Sequence, residues 1–324
     1  MRNDSMSRKH TRREFIGTSV KTAVCIGVAS KFIRSGKNIF ADDLKSRVVI
    51  AMNPRAINNR NQCDVAETNK LFDDALYSLT GKNTAVDAWG ALGLNAKDIV
   101  AVKVNCNSWT IDLSPHKALI DALCFSMGAV IPLNNIIVYE RTSGDLEEGG
   151  FKQNTSNAGV RCFGADEGGG FDPTQRLTRI LTDTCTKIVN LASLKCVEGD
   201  MAASIFFKNH IGSLLQEDMP KCHSDQDFMA EVSSRPAIKN KTILNLCDGL
   251  RGTYKRGVPW YWKGIVMSKD AVAGEAAAIG VMNEKRKVES EKPLDLPESL
   301  LIADKKYKLG NSDPKRIDVV QLNL

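Results

Sequence analysis

Seven short apolar runs, at 48–52, 99–104, 136–139, 188–191, 242–246, 264–267 and 317–322, have the aliphatic, β-branched character of buried strands. Between most of them lie segments at 67–79, 117–127, 200–215, 270–282 and 297–303 whose apolar positions recur three and four apart, a spacing that predicts helices. Strands alternating with helices argue for an α/β fold, with a mostly parallel central sheet flanked by helices in a single domain over 45–324. Gly168-Gly169-Gly170 within 164–172 has neither the tightly preceding strand nor the following Lys-Ser/Thr of a phosphate-cradling loop, and reads as a flexible surface loop. No Gly-x-Gly-x-x-Gly opens the first strand, so a nicotinamide dinucleotide site has no support.

The chain ahead of the first strand has a different character. Thr11-Arg12-Arg13-Glu14-Phe15-Ile16 leads into an apolar stretch, 16–30, that Lys21 and two glycines keep weakly hydrophobic. A positive region followed by a modest apolar stretch has the anatomy of a secretory signal, and paired arginines mark the version that carries folded proteins. Residues 1–41 are therefore expected to be a twin-arginine signal peptide. Arg12 and Arg13 would be its export determinants, the twin-arginine translocase its partner, and the periplasm or another extracytoplasmic space its destination. The stretch is too short and polar for a permanent membrane span. Ala41 and Ala29-Ser30 compete as cleavage positions, and Thr22-Ala23-Val24 before Cys25 makes a poor lipoprotein box.

Charge supports that division. The chain of 324 residues carries a formal net charge of +6, which would suggest a nucleic-acid partner. Residues 1–41 hold nine Lys/Arg against two Asp/Glu, so of the 44 basic and 38 acidic residues in all, 35 and 36 lie beyond them. The basic excess belongs to the signal, and no stripe of cations interleaved with aromatics remains, so no nucleic-acid partner is expected. Eight of the nine cysteines follow the signal, but no Cys-x-x-Cys pair occurs, and Cys222-His223 stands isolated. No zinc or iron–sulfur signature is present, no metal site is expected, and the cofactor is unknown.

Candidate chemistry gathers where strands end. The run 99–104 carries Lys103 and ends in Asn105-Cys106; 136–139 runs into Glu140-Arg141-Thr142; 188–191 is followed by Lys195; 242–246 delivers Cys247-Asp248-Gly249-Leu250-Arg251; and 264–267 hands over to Ser268-Lys269-Asp270. In a parallel sheet all carboxyl ends share one rim, and ligands bind in the crevice outside it. Ser268 and Asp270 read best as helix caps. Lys103, inside an apolar strand, needs a polar destination. His210, in Phe207-Lys208-Asn209-His210-Ile211-Gly212, reads either as a helix-ending histidine or as a proton carrier.

In order and spacing these segments resemble the bacterial family called domain of unknown function 362, in its twin-arginine-exported branch. The matching stretches are 100–105, 135–141, 187–195, Lys208-Asn209 with Gly212, Cys247-Asp248-Gly249-Leu250-Arg251, 268–273, and Leu309-Gly310 with Asp313-Pro314 and Ile317. They span about 45–322. Val197 stands where the family pattern places a histidine, and the ferredoxin-type cysteine clusters of some relatives are missing. The resemblance implies architecture and address, and brings no assigned reaction.

Two functions fit. One is an envelope enzyme acting on a small anionic substrate in a Lys/Arg/Asp-lined cleft. Lys103, Asn105, Lys195, Lys208, Asn209 and Arg251 would bind the substrate, while Asp248 or Glu140 would move a proton with His210 or His223 as partner. The other is a non-catalytic accessory protein that folds around a ligand or cofactor before export. The residues leave open whether the chain is an enzyme. In either case Lys103→Met is expected to abolish ligand binding while costing the fold little, since a lysine stem packs like methionine.

Overall fold

The computed structural model describes residues 45–106 and 117–324. The segment 1–41 expected to be a signal, with Arg12, Arg13 and Cys25, and also His116 lie outside them. The strands are β1 (Ser46–Met52), β2 (Val100–Lys103), β3 (Ile136–Tyr139), β4 (Arg161–Cys162), β5 (Phe171–Asp172), β6 (Leu177–Thr178), β7 (Lys187–Ser193), β8 (Thr242–Gly249), β9 (Gly252–Lys255), β10 (Val258–Trp260), β11 (Gly264–Ser268) and β12 (Ile317–Asn323). Among the described residues, eight of them form the central sheet, in the order β12-β1-β11-β8-β7-β2-β3-β4. Every pairing is parallel except the two made by β11, which runs against both β1 and β8. The mostly parallel α/β sheet flanked by helices is thus the fold, and the described residues form one compact domain.

β11 corrects one expectation. Because it is antiparallel, its end delivers Ser268, Lys269 and Asp270 to the rim opposite the ends of β2, β3, β7 and β8. There Asp270 caps the following helix by accepting from Ala273 N at 2.9 Å, and Ser268 Oγ donates to Arg47 O.

The helices are α1 (Val65–Thr80), α2 (Ala85–Ala91), α3 (Lys117–Met127), α4 (Ser143–Glu148), α5 (Phe206–Asn209), α6 (Gln226–Ser234), α7 (Pro236–Lys239), α8 (Ala271–Val288) and α9 (Glu298–Lys305). They cover both faces of the sheet, as strands buried on two sides require. Val100 and Val102 of β2, with Leu244 and Leu246 of β8, point to the layer made by α1, α2 and α3. The alternate positions, such as Ala101, Ile137 and Cys247, point to the layer made by α5, α6, α8 and α9. Asp64 caps α1 by accepting from Glu67 N, and Gly81, at φ 68°, ends it in the left-handed conformation.

The helix expected over 200–215 is broken. A short 3-10 turn (Gly199–Met201) precedes α5, and a second (His210–Ser213) follows it. The backbone takes a positive φ at Ala202 (49°), inside that span, which a continuous helix excludes, and at Glu198 (60°) just ahead of it. α5 has no side-chain cap of its own at Ile205. Instead Glu275, buried in α8, accepts from Phe207 N at 3.1 Å and also bonds the Phe206 backbone. The glycines of 164–172 also differ from the expected flexible loop: Gly168 N bonds Gly164 O, Gly170 N bonds Ala165 O, and Gly168 packs against Ile180.

Among the described residues no helix is long and apolar enough to cross a membrane. All eight described cysteines are free thiols, seven of them buried. Burial pushes Cys124 up to about 12, and Cys162 and Cys185 to about 11, so these thiols act as small hydrophobes.

Glu275 sets a pH signature. Burial raises its carboxyl to about 7, against the opposing pull of the Phe207 and Phe206 backbone bonds. Between an unfolded value near 4.5 and the folded value, the native chain keeps a proton that the unfolded chain has lost, so this group's contribution to stability falls as pH rises through that window. His210, which burial depresses to about 3, acts in the opposite sense below about pH 6.5, so the wild type should be compared with Glu275→Gln at each pH. The variant should gain on the wild type by about 3 kcal/mol between pH 4.5 and 8, read from urea unfolding. A difference that stays flat across that range contradicts the assignment.

Candidate functional site

Parallel neighbours β7, β2 and β3 hold Asn190, Lys103 and Tyr139 in register, side by side. Adjacent strands lie about 5 Å apart, so the residues that leave these three carboxyl ends meet. Lys103 is only 1% exposed, and its ammonium lies against the Glu140 carboxylate. Lys103 Nζ also donates to Val104 O at 2.6 Å and sits 5.8 Å from the centre of the Tyr139 ring. Glu140 is satisfied on both oxygens: Oε1 accepts from the ammonium and from Arg141 N (2.9 Å), and Oε2 from Cys106 N (3.1 Å). Gly212 closes over this pair. A Cβ there would come within 2.5 Å of Glu140 Oε1 and 2.9 Å of Lys103 Nζ, so only glycine fits.

A chain of asparagine amides anchors α5 beneath the rim. Asn209 Nδ2 donates to Asn190 Oδ1 (2.7 Å) and Leu191 O (3.1 Å). Asn190 Nδ2 donates to Phe206 O (3.1 Å) and Asn245 Oδ1 (3.3 Å), and Asn245 Nδ2 continues to Lys269 O. Each amide donates to a backbone carbonyl, Leu191 O, Phe206 O or Lys269 O, so the buried polar groups are paired.

Above the rim opens a cleft of about 700 Å³. Seven of the residues expected from sequence line it: Lys103, Asn105, Glu140, Lys195, Lys208, Asn209 and His223. Arg141, Arg256, Glu198 and Asp145 line it as well. Asp145 is engaged with Thr142 in the capping box of α4, and Glu198 with Arg286 at 3.0 Å. Arg286, buried in α8, also donates to Tyr254 O and Lys292 O, so it clamps the strained 198–202 turn that forms one wall.

Burial lowers Lys195 to about 8, the nearby Lys208 charge adds to that effect, and Glu140 opposes it. Burial also lowers Lys208, and the charge of Lys208 lowers His223. Like charges held together in a partly desolvated cleft favour their neutral forms, or an anion between them.

Three expected residues are placed elsewhere. The pleat alternates, and Asp248 lies an odd number of residues after Asn245, so it faces the α1–α3 layer while Lys103 faces the other. There Asp248 is buried and its Oδ1 accepts from Leu250 N at 2.9 Å. Arg251 follows on that strand's exit, with its guanidinium 5.8 Å from the Tyr261 ring, and is not among the residues lining the cleft. The segment Asp248–Arg251 instead shapes the wall from behind. Leu194 N donates to Asp248 O, and a Cβ at Gly252 would meet Leu194 O at 2.6 Å. His210 is fully buried, lines a separate cavity of about 80 Å³, and at a value near 3 stays neutral.

Sequence reasoning did not single out Arg141, Glu198 or Arg256 for the site. Arg141 directly follows the expected Glu140, and Arg256 occupies the tight β9–β10 turn beside Gly257, whose φ is 73°. Glu198 depends on an unpredictable left-handed backbone. Among the described residues no group of three His, Cys, Asp or Glu could hold a metal ion. No protein-family model, curated protein or solved structure matches the chain.

The buried pair overturns the expectation that Lys103→Met is mild. Removing one partner strands the Glu140 charge, at a cost of about 3–5 kcal/mol. Denaturant unfolding measures it, and a loss below about 1 kcal/mol, the range of exposed pairs, would contradict the burial of this pair.

Proposed function

We propose that the chain is an exported protein of the cell envelope, of the domain of unknown function 362 type, whose cleft binds a small anionic substrate and acts on it. The observation that carries the reading is the charge of that cleft. Among the described residues five Lys/Arg line it against three Asp/Glu, and each of those carboxylates is engaged in a contact of its own: Glu140 with Lys103, Asp145 with Thr142, Glu198 with Arg286. Lys208 and Arg141 make no ion pair among the described residues, and Arg141 Nε is buried without a hydrogen-bond partner there. An anion entering the cleft would supply the missing acceptors, and charge-assisted hydrogen bonds from Arg and Lys favour carboxylate or phosphate groups. Catalysis, rather than binding alone, is favoured by Lys195, whose value near 8 suits proton transfer or attack near neutral pH.

The family and the address rest on sequence: the order of the strand-end motifs, and Arg12-Arg13 ahead of a weakly apolar stretch. Calorimetric titration with inorganic phosphate and succinate tests the anion reading. Binding should weaken about tenfold in Lys208→Met, as expected for the loss of one charged hydrogen bond. Equal affinity in the variant, or binding of neither anion, contradicts it. For export, Arg12→Lys with Arg13→Lys keeps the charge and removes the guanidinium pair, so the precursor should stay in the cytoplasm. Unchanged periplasmic recovery would contradict the address.

A further inference from the structure

We propose that Lys195 is a nucleophilic amine that forms an imine with the carbonyl carbon of a small oxo acid bound in the cleft. The inference rests on the anionic-substrate reading above and names the substrate class: a carboxylate bearing a ketone or aldehyde.

Placement carries it. Lys195 follows β7 at the carboxyl rim, is 6% exposed, and lines the cleft with Lys208 and Arg141. Its neighbours divide the work that imine formation needs. Arg141, Arg256 and Lys208 offer positive charge for the carboxylate, so a bound oxo acid presents its adjacent carbonyl to a lysine already inside the cleft. Lys103 and Glu140 pair with each other below, on the floor of the cleft. The second wall of the cleft, 198–202, keeps left-handed backbone at two non-glycine residues and is clamped by Arg286, which fixes the chain immediately after Lys195.

Desolvation and an adjacent cation are the two conditions that turn a lysine into a nucleophile, and both are the causes that lower Lys195. In the step, the neutral Nζ attacks the carbonyl carbon, a C–N bond forms, and the carbonyl π pair moves to oxygen. The two amine protons and that oxygen then leave as water as the C=N bond forms, so no oxidant or reductant takes part. His223 lines the same cleft, and its lowered value beside Lys208 leaves it neutral to relay protons between nitrogen and the departing oxygen.

Incubation of the full chain with pyruvate or 2-oxoglutarate plus cyanoborohydride, followed by peptide mass mapping, tests this. The reductant converts the imine to a stable secondary amine. The expected result is one reduced adduct at Lys195, formed ahead of adducts on exposed lysines and competed away by lactate or succinate, which carry the carboxylate without the carbonyl. Lys195→Arg should lose the adduct. Lys208→Met, which leaves the nucleophile in place, should slow trapping at neutral pH by about tenfold for each unit that Lys195 rises. Calorimetric binding of the oxo acids without an adduct at Lys195 overturns the imine and leaves the anion cleft standing. Adducts confined to exposed lysines do the same. Neither binding nor trapping overturns both readings.

Discussion

The ammonium of Lys103 and the carboxylate of Glu140, buried together at the carboxyl ends of adjacent parallel strands, set the geometry on which the rest of the site depends. Taking two charges out of water is costly, and their attraction compensates only when the remaining hydrogen-bonding capacity is also filled. Here it is filled by Val104 O, Arg141 N and Cys106 N, all backbone groups of the segments that leave β2 and β3. The pair thus fixes the exits of two strands at once. It also dictates Gly212 on the chain that crosses above, because any side chain there would strike the pair. From Gly212 the constraint passes to α5, whose Asn209 ties into the amides of Asn190 and Asn245. A polar spine therefore runs from the rim into the apolar layer without leaving these amides unmatched.

That arrangement separates two kinds of charge in the cleft. Lys103 and Glu140 satisfy each other and form its floor. Lys195, Lys208, Arg141 and Arg256 stand above them; burial lowers both lysines, and the Lys208 charge lowers Lys195 further. In the proposed reading, an incoming negative charge would relieve the repulsion that Lys208 exerts on Lys195. Beyond residue 41 the chain is nearly neutral in net charge, so the attraction is local to the cleft and would not recruit polyanions to the surface at large.

Much of this was legible in the sequence. The apolar runs located seven of the eight central strands; the interior ones are buried on both faces and so continuous in composition, while edge strand β12 is part exposed yet still rich in aliphatic residues. Lys103 inside such a run required a polar partner, and Glu140 supplied it from the next strand. What was not legible follows from two geometric facts. Strand direction is set by connections, not composition, so nothing in 264–267 revealed that β11 runs backwards and sends Asp270 to the far rim. Side-chain parity depends on register, so Asp248 appeared to share a rim with Lys103 while facing the other layer. The 200–215 region showed helical spacing but was interrupted by positive-φ backbone at Ala202, which the identity Ala does not announce. Helices as short as α5 and α7, and the two-residue β4, lie below the length at which periodicity is visible.

If the buried pair organises the rim, its two members must be coupled far more strongly than any surface pair. A double-mutant cycle in stability measures that directly, with Lys103→Met, Glu140→Met and the two combined. The account predicts that either single change is severely destabilising, because it strands a buried charge, and that the double variant recovers most of the loss, a coupling of several kcal/mol. Losses that simply add, with the double variant the least stable of the three, would contradict it.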